Sequence, residues 1–247
     1  MKREIIIGPI VLLIIWGIIH YTGLINQVLL PSPIAVAKAV IAEFSHGKLL
    51  QDLVATIIRF LWGFLSAAIV GIILGVILGY YEKLYSSVEV IIDFFRSVPA
   101  TALFPLFMLF FGVGDFAKIS VVFFSCSLII LINTAYGVKN ASLLRIRLAR
   151  VLRANRNQLL FKIILPDSLP HIFAGLRIGI SFALLVVVVT EMFLGTLIGL
   201  GHRIIDDQLI YKVPEMYAAI IVTGILGYIL NKGFVYFEHR IVHWSGK

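Results

Sequence analysis

The chain has 247 residues, 60% of them hydrophobic and only 14% charged, with a mean hydropathy of +1.03. A soluble domain of this length could not hide that much apolar surface, so lipid is the predicted solvent. The net charge of +8 clusters beside apolar runs, which membrane orientation explains better than nucleic acid; the single cysteine, Cys126, excludes an intrachain disulfide and a cysteine metal cluster.

A membrane-crossing helix needs about 20 mostly apolar residues. The first is predicted over residues 5–25. Its MKRE start has the outline of a signal peptide, but no small-residue cleavage site follows Trp16, and it reads as an uncleaved span. Leu30-Pro31-Ser32-Pro33 forms a turn that can start a helix, and residues 35–44 read as a short helix at the membrane surface. The second span is 53–80. Its Gly63, Ala67, Gly71, Gly75 and Gly79 recur at four-residue spacing, offering a face for close helix approach, either within one subunit or across a dimer seam. Residues 81–87 read as a short polar loop. The third span, 88–112, is broken by Pro99 and Pro105, and broken spans are buried in protein or line a cavity. Glu89, Asp93 and Arg96 mark its inner end.

A tight outer turn, 113–116, precedes the fourth span, 117–136, whose polar content is Ser125, Ser127, Asn133 and Thr134. The fifth span is 172–195, with Arg177 near one end and Glu191 deep toward the other. An outer connection, 196–215, leads to the sixth span, 216–237, with Lys232 near its inner end, and to a basic tail. About six spans place both termini on one side. If that side is inside, the inner segments hold Lys2, Arg3, Lys83, Arg96, Arg177, Lys232, Arg240, Lys247 and the cations of a central loop. The outer segments hold only Lys38, Lys48, Arg59, Lys118, Arg203 and Lys212, as the positive-inside rule expects. The fold class is all-α: a polytopic membrane protein forming a single transmembrane domain over 1–247.

The central loop, within residues 137–170, carries Lys139, Arg145, Arg147, Arg150, Arg153, Arg156 and Lys162 and has no carboxylate up to Pro166. Leu143, Leu144, Leu148, Val151 and Leu152 recur at spacings near three and four, so the segment is an amphipathic helix. Asn140 or Ser142 can cap its start. Asn155 can take a left-handed turn or cap the next helix, and that second short helix, over 157–164, is expected to end at Pro166. Such a loop faces lipid headgroups or a protein.

From Leu159-Leu160-Phe161-Lys162-Ile163-Ile164-Leu165-Pro166, with Leu169-Pro170 and Gly175-Leu176-Arg177, the loop resembles that of the membrane subunits of binding-protein-dependent ABC importers. Leu30-Pro31-Ser32-Pro33, Arg59 with Gly63-Phe64, Phe95-Arg96-Ser97-Val98-Pro99, Leu106-Phe107, Phe111-Gly112-Val113-Gly114, Thr190-Glu191-Met192 and Gly199-Leu200-Gly201 are similar to the nitrate, sulfonate, taurine and bicarbonate branch. The matches run in order over nearly the whole chain. In the family the loop begins Glu-Ala-Ala, with a glycine four residues after the second alanine. Here Arg147-Leu148-Ala149 stands on the first motif and Arg153 on the glycine. Arginine in a left-handed position costs about 1 kcal/mol more than glycine, so the turn is expected to have shifted toward Asn155.

The resemblance implies a type I ABC importer permease fold and a non-enzymatic subunit in a bacterial cytoplasmic (inner) membrane, both termini inside. It implies no cofactor in this chain, with ATP and Mg held by two separate ATP-binding subunits. A second copy as homodimer, an external binding protein and the bilayer complete the partners, without nucleic acid. The docking segment is Arg147, Leu148, Ala149, Arg150, Val151, Leu152 and Arg153, and the cargo is a small anion such as a sulfonate, taurine, nitrate or bicarbonate. The chain has no GxxxxGK[ST] phosphate loop of its own. Candidates for the path are Arg59, Pro99, Ser125, Asn133 and Glu191. Arg59 is an anion contact or an interfacial anchor. Ser125 and Asn133 are cargo ligands or helix–helix bonds. Glu191 is costly inside a span, and is part of an outer gate, paired with a cation such as Arg59 or Lys118, or close to the outer interface. The alternatives are a stand-alone secondary transporter or channel, or import of a pyrimidine-like heterocycle. An intramembrane protease or metalloenzyme would need a histidine or paired carboxylates inside the spans; His20, His171, His202, His239 and His243 sit near span ends, and His46 in an outer segment.

Overall fold

The computed structural model describes residues 4–193, 195 and 197–242. Lys2, Arg3, Thr196, His243 and Lys247 lie outside the described residues. The described chain is helical throughout: α1 (Glu4–Thr22), α2 (Pro33–Ser45), α3 (Leu49–Tyr80), α4 (Glu82–Ser97), α5 (Phe104–Phe111), α6 (Asp115–Lys139), α7 (Leu143–Val151), α8 (Arg156–Leu159), α9 (Leu165–Phe193), α10 (Leu200–Leu209) and α11 (Val213–Ile241). Four helical stretches are long and apolar enough to cross a membrane: α3, α6, α11 and the continuous run Arg156–Phe193. The pair α4 and α5, bent by 91° at their junction, makes a fifth, broken span. The apolar part of α1, Ile7–Thr22, is shorter.

The core is the packing of α3 on α6 and of α6 on α9. The small residues of α3 make it possible, and the seam lies within one subunit. A side chain at Gly71 would meet the Ile130 Cβ and the Ser127 carbonyl at 2.9 Å. One at Gly75 would meet the Leu131 carbonyl at 2.7 Å. Without Cβ atoms the two backbones approach closely, which is how helices gain dispersion contacts in lipid, where no hydrophobic force drives them together. Gly175 gives α9 the same access to α6 at Asn133. Away from this seam α3 exposes Trp62, Leu65, Ile69 and Ile73, as a lipid-facing surface requires.

The broken span is as the prolines predict. Pro99 precedes a 3-10 turn, Ala100–Leu103, and Pro105 sits in the first turn of α5, where its missing N–H costs nothing. Residues 81–87, expected as a loop, are instead mostly the first turns of α4. The short surface helix appears as α2. Ser32 caps it by accepting from the Ala35 N–H, and Trp16 of α1 donates to the Pro31 carbonyl at 2.9 Å.

The loop end departs from expectation twice. Pro166 does not stop the second short helix. α8 runs through a π turn, Leu160–Ile164, straight into α9. The wider turn suits a proline that brings no N–H, so the fifth span begins well before residue 172. The left-handed residue is Arg153 itself, at φ +56°; Asn155 is extended and caps α8 in a reciprocal box with Gln158, at 2.8 and 2.9 Å. The Ala154 N–H donates to the Ala149 carbonyl and the Arg153 N–H to the Arg150 carbonyl, each at 3.0 Å. That is a Schellman ending, and its geometry demands the left-handed residue at 153 whatever the side chain. Arg153→Gly should therefore stabilise the detergent-solubilised chain by about 1 kcal/mol, measurable as a rise in thermal midpoint. An unchanged or lower midpoint would show that the arginine is not strained there.

Candidate functional site

Three places bring the chemistry together. At the end of the bundle opposite α7, Asp52, Thr56 and Arg59 line one face of α3 at spacings of four and three. They meet Glu191 of α9 and the start of α10. Arg59, 2% exposed, donates to Glu191 at 2.6 Å, to Asp115 at 2.8 Å and to the Ile198 carbonyl at 2.8 Å. Glu191, 1% exposed, also accepts from the Thr56 hydroxyl at 2.9 Å and the Gly201 N–H at 3.1 Å. The Gly199 N–H donates to Asp52 at 2.9 Å and the Leu200 N–H to Thr56 at 3.0 Å. Three successive donors at the α10 N-terminus thus end on side chains of α3 and α9, two of them carboxylates facing the positive end of the helix. Arg203 extends the network to Asp52 at 2.5 Å and Glu43 at 2.8 Å. The glycines are sterically required: Gly199 has φ +139°, and a Cβ at Gly201 would lie 2.1 Å from the Val188 carbonyl.

Within this cluster Arg59 and Glu191 are buried ion-pair partners of each other. The partners Asp52 and Thr56 were not singled out from the sequence, and Arg203 was counted there only as an outer cation. Their signal was a polar stripe at helical spacing entering an apolar span, with glycines around Leu200 to receive it.

On α10, burial pushes the Asp207 carboxyl up to about 6; Arg203 offsets part of this, and Glu43 and Glu215 add to it. Its Oδ2 has no hydrogen-bond partner among the described residues. A carboxyl raised on folding favours the protonated fold. Stability should thus be highest below the unfolded value near 4 and fall as pH rises to about 6. Asp207→Asn should remove that slope and raise the midpoint at pH 7.5. A wild-type thermal midpoint flat over pH 4–7 would contradict the assignment.

The second place is a cavity of about 270 Å³ between the α4–α5 break, α6 and α9, lined by Arg96, Phe95, Phe124, Ser125, Asn133 and Phe182 among others. Pro99 lies at the break beside it. The Ser125 hydroxyl donates to the Val121 carbonyl at 2.7 Å, and the Asn133 amide to the Ile129 carbonyl at 2.8 Å. The lining contains one cation, Arg96, and no carboxylate. Arg96 pairs with Asp93 at 3.0 Å on its exposed side.

The third place is α7. Ser142 caps it, and Asp167 accepts from the Ser142 N–H at 2.6 Å and pairs with Arg145. Asp167 lies one residue past the carboxylate-free stretch and was missed for that reason. Ile146 and Ala149 face inward onto Val76, Tyr80 and Val138, at the ends of α3 and α6. Leu148, Val151 and Leu152 are 55%, 80% and 81% exposed, whereas Ala149 is 5% exposed and turned away from any partner. Arg147, Arg150 and Arg153 are exposed around this ridge.

An all-helical bundle with a broken span, a mostly apolar cavity holding one arginine at the break, and an exposed amphipathic helix on its end suits a membrane subunit that passes a solute and takes its drive from elsewhere. Residues 67–243 match the binding-protein-dependent transport system inner membrane component family. The chain belongs to that family and is a permease subunit of an ABC importer. It is 30% identical to the taurine transport system permease protein of Escherichia coli, over 96% of this chain and 88% of the relative. It is 31% identical to the bicarbonate transport system permease protein of Synechocystis sp., over 96% of this chain and 87% of the relative. Its fold matches a structure of the MetNI methionine ABC transporter in inward facing conformations, with a TM-score of 0.71 and 19% identity, over 81% of this chain and 98% of that one. Family membership implies ATP-binding subunits and a substrate-binding protein as companions.

Proposed function

We propose that α1 is a sixth crossing and that this permease works as a homodimer, with α7 and both termini on the cytoplasmic side, moving a small anion delivered by an external binding protein. Each α7 seats in an ATP-binding subunit that carries out all the ATP hydrolysis. The observation that carries the docking reading is the ridge of Leu148, Val151 and Leu152, which stays in water although the inner face of the same helix is packed. A ridge of that kind on a membrane bundle is an unfilled interface. The positive balance of the α7 side supports its placement inside.

The anion reading rests on the cavity at the α4–α5 break, whose one charged lining residue is Arg96. The Ser125 hydroxyl and one N–H of the Asn133 amide are committed to α6 carbonyls, which leaves the second Asn133 N–H and the Arg96 guanidinium for a cargo oxyanion, and Arg96 alone brings a positive charge. The taurine and bicarbonate permeases among its relatives agree with this. Arg59 and Glu191 hold the opposite end of the bundle together around this path.

The test is purification from the native membrane in mild detergent, with mass spectrometry of the proteins that accompany the chain. An ATP-binding subunit in equal amount, lost on changing Leu148, Val151 and Leu152 to Asp, is the expected result. Purification alone, with no crosslink from α7 to an ATPase, would refute the docking reading. Reconstituted with its partners, the permease should accumulate one of taurine, nitrate or bicarbonate, and Arg96→Gln should cut that uptake several-fold. Uptake of a neutral pyrimidine in their place would refute the anion reading.

A further inference from the structure

We infer that the ATP-binding subunit receiving α7 presents an acidic cleft, and that Arg147, Arg150 and Arg153 pair with its carboxylates. The inference rests on the docking reading above and goes beyond it by fixing the charge of the partner surface.

Seven cations lie between Gly137 and Pro166. The fold neutralises two of them: Lys139 pairs with Glu82 at 3.1 Å, and Arg145 pairs with Asp167. The other five, Arg147, Arg150, Arg153, Arg156 and Lys162, are exposed and make no ion pair among the described residues. An apolar interface holding that many uncompensated charges is stable only against opposite charge, because a buried unpaired cation is costly.

The placement of the cations selects a protein over lipid. Arg147 stands within the outward face of α7, three residues after Leu144 and four before Val151, both exposed. The inward face, Ile146 and Ala149, sits on the ends of α3 and α6. The outward face therefore points away from the span ends and from the bilayer. A helix lying among headgroups does the reverse, sinking its apolar face toward the acyl chains with cations on the opposite side. Beside α7, a groove of about 440 Å³ is lined by Leu148, Leu152 and Ile163 together with Arg145 and Lys162. This suits an apolar side chain flanked by carboxylates. Arg153 adds to the pattern. Its left-handed backbone, φ +56°, fixes a guanidinium at the helix C-terminus, where a cation also complements the helix dipole. Arginine forks on carboxylates are directional. An ATPase with a basic cleft would be repelled, so the same charges select the cognate partner.

The test uses the complex of this chain with the ATP-binding subunit that co-purifies with it. Arg147→Glu/Arg150→Glu/Arg153→Glu should lower the ATPase recovered at 50 mM NaCl at least tenfold. The matching lysine variant should hold it at 50 mM and release it at 500 mM. Arg150→Cys should crosslink to a cleft segment rich in Asp and Glu, and changing those residues to Lys should restore binding to the glutamate variant. If the glutamate variant keeps its ATPase while Leu148→Asp/Val151→Asp/Leu152→Asp loses it, docking stands and the acidic cleft is wrong. If neither variant loses it, the docking reading falls with the proposal. Should the glutamate variant misfold, the crosslinked segment still decides: arginines and lysines there overturn the inference. A loss of binding only to phosphatidylglycerol vesicles, with the ATPase complex intact, would assign these cations to lipid.

Discussion

Arg59→Met is expected to be the most damaging single change to the fold. The guanidinium compensates Glu191 at 2.6 Å inside the bundle and reaches Asp115 and the Ile198 carbonyl as well. Removing it leaves a buried carboxylate with only the Thr56 hydroxyl and the Gly201 N–H as partners. Breaking such a pair from one side costs about 3–5 kcal/mol, which for a chain of this size lowers the thermal midpoint by roughly 10 °C. Arg59→Met/Glu191→Leu should recover part of the loss, because the charge that needed compensation is gone. The recovery is partial, since Thr56 and Gly201 then lose an acceptor. The check is the thermal midpoint of both variants in detergent. If the double variant is no better than the single, the pair is not the unit of stability and Arg59 acts mainly through Asp115.

Gly75→Leu is expected to prevent assembly of the bundle. The Cβ alone would lie 2.6 Å from the Thr134 Cβ and 2.7 Å from the Leu131 carbonyl. The second contact is backbone, so no rotamer relieves it. Helix α3 would have to move away from α6 along the seam that carries most of the core. Overpacking in a well-packed interior costs about 1–3 kcal/mol per site, and a branched side chain against backbone belongs at or beyond the upper end. Fluorescence-detected size exclusion should show loss of the monodisperse peak. Gly8→Leu, at a position with nothing within 4 Å, is the control and should elute normally. A normal peak for Gly75→Leu would place the α3–α6 seam elsewhere.

Both variants act on features with unequal visibility in the sequence. The small-residue row on α3 was legible, because four-residue spacing in an apolar span has one geometric meaning and close approach follows from it. The break at Pro99 was legible for the same kind of reason: a proline in a span frees a carbonyl and bends the helix wherever the chain goes next. The polar network was legible only in part. Glu191 stood out as a carboxylate in an apolar run. Asp52 and Arg203, 151 positions apart in sequence, meet through folding alone.

At the loop end the amphipathic helix could be read from its leucines, and Asn155 from its capping chemistry. The position of the left-handed residue could not. Local preference argued for moving it off Arg153, but the hydrogen bonds that close α7 and the packing of Ala149 and Ala154 in the cluster beneath fix where the chain must turn. A local cost near 1 kcal/mol yields to several tertiary contacts. The same competition carried the helix through Pro166, where the π turn absorbs the missing N–H.

The sequence by itself determined that this chain lives in lipid, that it is helical, where the break at Pro99 falls, and that a cationic helix with an apolar ridge interrupts its spans. Each of these comes from composition or from a period along the chain, which are local properties. Tertiary structure alone decided that Arg59 is consumed by Glu191, that Arg96 faces a cavity, and that Asp167 neutralises Arg145 while Arg147, Arg150 and Arg153 make no ion pair among the described residues. Those are questions of which charges meet, and a charge finds its partner across space rather than along the sequence.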